Sequence, residues 1–97
     1  MLFAVINTDR PASLDLRMST RPAHLEYLTA HEAEIVSGGA LLDAEGKPAG
    51  SLLVIEAADR AAAEAFAAGD PYAKVGLFES SVVRPFRQVF KDGAKVA

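Results

Sequence analysis

The sequence predicts an α+β fold of βαββαβ order, a ferredoxin-like sandwich with two helices on one antiparallel sheet. Three observations carry this. Strand-like segments recur at residues 2–6, 35–42, 51–56 and 77–83. Helical stretches separate the first from the second and the third from the fourth. Only a loop holding Gly46, Pro48 and Gly50 joins the second to the third.

Taken in order, residues 2–6 are a continuous apolar run that stops in the turn Asn7-Thr8-Asp9-Arg10-Pro11. Residues 13–18 suit a helical turn, with Leu14 and Met18 four apart. Pro22 then opens a longer helix, because the first helical position has no use for an N–H. On it Leu25 and Leu28 share one face, whereas Glu26, Ala30 and Ala33 point away. Ile35-Val36 goes to the second strand on its β-branched side chains. Asp59 caps an Ala-rich helix over 60–68, Gly69 stops it, and Asp70-Pro71 starts a further short turn. The fourth strand, 77–83, ends at Arg84-Pro85, since proline cannot donate to a central ladder. Residues 86–90 suggest a short extra strand and 91–97 a loose tail, so one domain is expected over 1–90.

Composition narrows the function. At 97 residues, 51% hydrophobic and 24% charged, the chain is long enough for one soluble domain with a modest core. A net charge of −3 and no basic block argue against a nucleic-acid partner. An RNA-recognition module shares the element order but stacks bases on aromatic residues, which 51–56 lacks. Without cysteine, thiolate metal sites and disulfides are impossible; without a ligand-spaced motif, no metal or cofactor is expected. No run approaches the roughly 20 apolar residues of a membrane span, and the opening Met1-Leu2-Phe3-Ala4-Val5-Ile6 carries no basic leader. The expected location is cytoplasmic. Residues 2–6 and 52–55 are apolar at successive positions, so both sheet faces carry hydrophobic side chains. Two helices cover only one face. A homodimer packed through the other is the expected remedy.

Two short motifs carry the chemistry, Arg21-Pro22-Ala23-His24-Leu25 and Gly69-Asp70-Pro71-Tyr72. If the fold brings them together, His24 faces Asp70, and a carboxylate that fixes an imidazole tautomer makes a general base. Each residue also has a plain structural reading. His24 can be a half-buried histidine bonded to a carbonyl, and Asp70 an N-cap before a proline, worth about 1 kcal/mol. A carboxylate can do both jobs at once. His31 lies about 10.5 Å further along the helix than His24 and cannot act on the same atom; it reads as ordinary. Arg21 could meet an anionic or enolate oxygen, or stay solvated. Tyr72 and Tyr27 are each a pocket wall or a helix contact. Gly38 and Gly39 let backbone approach a ligand, or mark a bulge. Phe78 and Ser80 are pocket walls if their alternation holds.

With those residues in view, the chain resembles the YciI-like family. The likeness runs through the opening strand, Arg21-Pro22-Ala23-His24-Leu25, Gly39, the Asp43 hairpin, Gly69-Asp70-Pro71-Tyr72, Gly76-Leu77-Phe78 and Val83-Arg84-Pro85-Phe86. Two departures stand out: Glu34 where many relatives have glycine, and Gly39-Ala40 where relatives often show Gly-Pro. The family is similar in fold to muconolactone isomerase and the dimeric α+β-barrel proteins. The resemblance implies a subunit that dimerises through its sheet and a site centred on His24 and Asp70. A related dehydrochlorinase of chlorinated hydroxyquinols makes proton transfer on a small cyclic substrate the implied chemistry. The expected function is a lyase or isomerase with His24 and Asp70 as its acid/base pair. Arg21, Tyr72, Gly38, Gly39, Phe78 and Ser80 would hold the substrate. The alternative is an accessory module that binds a small ligand or a protein without turnover.

Overall fold

A computed structural model describes all 97 residues. Four strands, β1 (Leu2–Asp9), β2 (Ile35–Leu42), β3 (Pro48–Glu56) and β4 (Phe78–Pro85), form one antiparallel sheet in the order β2-β3-β1-β4. With α1 (Leu14–Ala30) and α2 (Arg60–Gly69) in the two crossovers, this is the ferredoxin-like arrangement. A 3₁₀ turn, Glu32–Glu34, leads into β2, and a short α3 (Pro71–Lys74) follows α2 directly.

Alternation along the two central strands sets the core. Phe3 and Val5 of β1 face the helices beside Leu53 and Ile55 of β3, where Ala63 of α2 closes over them. Leu28, Phe66 and Val83 pack around that group. The same alternation carries β1 beyond residue 6, correcting the expected end of the strand. Asn7 and Asp9 continue the inward register, and they are tolerated there because each has a partner. Asn7 Nδ2 donates to Ser51 Oγ at 2.9 Å, and Asp9 meets the Arg17 guanidinium.

A second correction concerns Pro22. It does not open a helix but sits inside α1, which runs unbroken from residue 14. The missing N–H costs one intrahelical bond, and a proline there ordinarily kinks or breaks a helix. Long-range anchors on both sides hold this one, since Arg17 and His24 are the buried residues of α1. The buried stripe therefore runs through Arg17 and His24 to Leu28, one turn on. Leu25 is exposed and Leu28 half-buried. α1 packs chiefly on α3, not flat on the sheet, and a gap remains between α1 and β2–β3.

At the C-terminal end the expected strand over 86–90 and loose tail over 91–97 give way to a hairpin of β5 (Phe90–Lys91) and β6 (Ala94–Lys95). Asp92 and Gly93 between them both take positive φ, 52° and 78°, the backbone of a type I′ turn. At the β2–β3 hairpin, the Asp43 carboxylate accepts the Lys47 and Glu45 N–H groups, each at 2.9 Å. The Lys47 bond first, with Glu45 adding to it, holds that carboxyl below the usual range. No helix is long and apolar enough to cross a membrane.

Candidate active site

The site begins with the junction of α2 and α3. Asp70 ends one helix and caps the next, its Oδ1 accepting the Tyr72 N–H at 2.9 Å. The same carboxylate lies against His24 from α1, with Nδ1 at 2.8 Å from Oδ1 and 3.0 Å from Oδ2. Both readings of Asp70 thus hold in geometry. A carboxylate has no proton to give, so Nδ1–H donates, and Nε2 is the ring nitrogen with no protein partner.

Neighbouring residues fix this contact. Tyr27, one turn beyond His24, donates its hydroxyl to Phe66 O at 2.9 Å and so ties α1 to the end of α2. A Cβ on Gly69 would lie 2.6 Å from that hydroxyl oxygen, so the clamp closes only over glycine. Tyr72 stacks on the His24 ring, centroids 3.9 Å apart and planes 16° from parallel. Burial pushes the phenols of both tyrosines up. For Tyr72 the nearby Arg17 and Arg21 pull the other way, and for Tyr27 the Asp70 charge adds to the rise.

Behind this pair is a buried cation, Arg17, which lies outside the two motifs. Arg17, two turns before His24 on the same face, is only 3% exposed. Its Cζ lies 4.6 Å from the Tyr72 ring centre, Nη2 donates to Gly50 O, and Nε is 3.3 Å from Asp9 Oδ2. Burial raises the Asp9 carboxyl, and Arg17 partly opposes that. Gly50 is required where it stands, since any Cβ would overlap the Asn7 carbonyl of β1. The signal for this group was present in the period-2 pair Asn7/Asp9 and in the seven-residue spacing from Arg17 to His24.

These residues wall a cleft of about 420 Å³ between α1 and the β2–β3 side of the sheet. Of the expected site residues, His24, Arg21, Tyr72, Gly38 and Gly39 line it, and Asp70 stands behind His24. Any Cβ on Gly38 would overlap the Leu53 side chain, so glycine lets β2 lie close at the floor of the cleft. Phe78 is not a wall; it meets Tyr72 edge-on at 6.1 Å and does not line the cleft. Ser80 is not a wall either. An irregularity opposite Thr8/Asp9 changes the register, so Ser80 pairs with Thr8 and is exposed with it on the outer sheet face. His31 lies apart from His24, packed on Tyr27 and Phe66 beside a more apolar recess of about 610 Å³. That recess is larger, but it lacks the His24–Asp70 pair. No three His, Asp or Glu side chains cluster as metal ligands.

The family model of the YCII-related domain matches residues 1–87. The chain belongs to this family. Protein YciI of Escherichia coli O6:H1 is 36% identical over 102 aligned residues, covering 93% of this chain and all of that protein. An uncharacterized protein of Haemophilus influenzae is 30% identical with the same coverage. Among solved structures, a 5-chloro-2-hydroxyhydroquinone dehydrochlorinase from Burkholderia phenoliruptrix AC1100, in complex with 2,5-dihydroxybenzoquinone, superposes with a TM-score of 0.85. It is 36% identical, and the match covers 90% of this chain and 94% of that one. An antibiotic biosynthesis monooxygenase, 18% identical with a TM-score of 0.55, shares the fold; its match covers 92% of this chain and 99% of that one.

Proposed function

We propose that this protein is an enzyme of the lyase or isomerase kind that moves a proton on a small cyclic metabolite. His24 is the base and Asp70 its orienting partner. Nε2 takes the proton from an acidic hydroxyl or activated carbon of the substrate. Asp70 keeps Nδ1–H in place and stabilises the imidazolium that forms. For a chlorinated hydroxyquinol, the keto tautomer, with one hydroxyl proton moved to the chlorine-bearing carbon, loses a second hydroxyl proton to the base as chloride departs, a net loss of HCl that leaves a hydroxyquinone. A positioned base of this type contributes about 10²- to 10⁴-fold in rate. Tyr72 holds the imidazole plane by stacking, and Arg21 with the Gly38-Gly39 backbone borders the bound ring. The observation that carries the reading is the imidazole–carboxylate contact at 2.8 Å on the wall of a ring-sized cleft.

The working unit is a homodimer. Ile6, Leu41, Leu52 and Val82 stand 37–41% exposed on the outer face of the sheet, an apolar surface that a second copy would cover. A cysteine-free chain of this composition fits a cytoplasmic enzyme.

The test is chloride release from 5-chloro-2-hydroxyhydroquinone by the wild type and by His24→Ala. Release above the uncatalysed rate that falls at least 100-fold in the variant supports the reading. Equal release by the two proteins removes His24 as the base. Binding of 2,5-dihydroxybenzoquinone with no turnover of any hydroxyquinol favours an accessory ligand-binding module instead.

A further inference from the structure

We propose that Arg17 binds an oxyanion, so the ligands of this cleft are small rings bearing a carboxylate or an ionised hydroxyl. The inference rests on the cleft being the substrate site and states what that site selects. A guanidinium keeps its charge at any ordinary pH, so a buried one must be matched by acceptors. Here the match is incomplete. Nη2 has Gly50 O, and Asp9 Oδ2 lies 3.3 Å from Nε without a directed hydrogen bond. Nη1 has no protein acceptor, and the residue borders the cleft while 97% of its surface is covered by protein.

The charge is therefore placed where water screens it poorly and where a donor remains free. Arg21, the other cation of the cleft, is exposed and far better screened. Arg17 and His24 both lie against the Tyr72 ring and both line the cleft, so a single ligand held there can meet the guanidinium and the imidazole. Leu28, Leu53 and the bare backbone of Gly38 supply an apolar slot for that ring. An anionic oxygen at one end and a proton acceptor at the other would orient a phenolate or benzoate for attack at His24.

The probes are 2,5-dihydroxybenzoate and its neutral isostere 2,5-dihydroxybenzamide, titrated by calorimetry and by NMR. Wild type binds the acid at least about tenfold more tightly than the amide, in line with a charge-assisted hydrogen bond. In D9N/R17M, which removes both charges so that neither stays buried alone, the acid weakens about 10- to 100-fold and the amide does not. R21M reduces the ratio far less. In the wild type itself, the Arg17 Nε–H resonance shifts with the acid and stays with the amide, a readout independent of any variant. The inference is overturned if wild type binds both probes equally or neither. It is also overturned if D9N/R17M keeps the ratio or loses both probes alike, the mark of a purely structural role. The base assignment stands on turnover and the anion site on the acid-to-amide ratio, so either can fail while the other holds.

Discussion

Replacing Gly69 by alanine tests how the site is held. Alanine is the better helix former by about 0.8–1.0 kcal/mol, and the φ of Gly69 is not in the left-handed region, so backbone preference alone favours the change. Packing opposes it. The new Cβ would lie 2.6 Å from Tyr27 Oη, 3.2 Å from Cζ and 3.4 Å from Cε1. Tyr27 must withdraw, giving up its bond to Phe66 O, about 0.5–1.5 kcal/mol. Displacing a packed ring adds about 1–3 kcal/mol. The net expectation is a loss of about 0.5–4 kcal/mol, or a Tm lower by roughly 4–8 °C for each kcal/mol in a chain of this size. In a Tyr27→Phe background the nearest clashing atom is gone, so the same substitution costs at least about 1 kcal/mol less. Urea unfolding of the four proteins in the cycle measures this. A G69A protein as stable as wild type, or a cycle with no coupling, would refute the clamp.

Burial holds the phenols of Tyr27 and Tyr72 above 10.0, so beyond that pH the unfolded chain loses protons that the folded chain keeps. Stability is full below about pH 10 and falls as pH climbs through the folded-state values; Tyr27→Phe should flatten part of that fall in thermal unfolding scans. Arg17→Met leaves the Asp9 carboxylate without its cation and should cost about 3–5 kcal/mol, whereas D9N/R17M should recover much of it in denaturant unfolding. On the outer face, Leu52→Lys with Ile6→Lys should convert a dimer to a monomer in sedimentation equilibrium; a wild type already monomeric at high concentration contradicts the dimer.

Local signals made the element order legible: strand-length apolar runs, Asp59 and Asp70 ahead of helices, and a Gly/Pro loop joining β2 and β3. His24 and Asp70 stood out because each titrates and each sits at a recognisable helix position. What escaped depends on contacts between distant segments. Arg17 carries only the signal of its spacing to His24, because Asp9 and Gly50, which hold it, come from distant strands. Pro22 reads as a start because helix propensity is local, while the anchors that carry α1 through it are not. Simple alternation places Ser80 on the same face as Phe78, and the one irregularity in pairing between them turns it to the other. The C-terminal hairpin was legible after all, in Asp92-Gly93, a dipeptide that favours a type I′ turn.

The proposed proton transfer requires that Asp70 fix the proton of His24 on Nδ1 and leave Nε2 free to act. Ring ¹⁵N shifts of His24, recorded in wild type and Asp70→Asn under conditions where the imidazole is neutral, test it directly. A single Nδ1–H tautomer is expected in wild type and a mixture in the variant. An Nε2–H tautomer in wild type, or identical spectra for the two proteins, would contradict it.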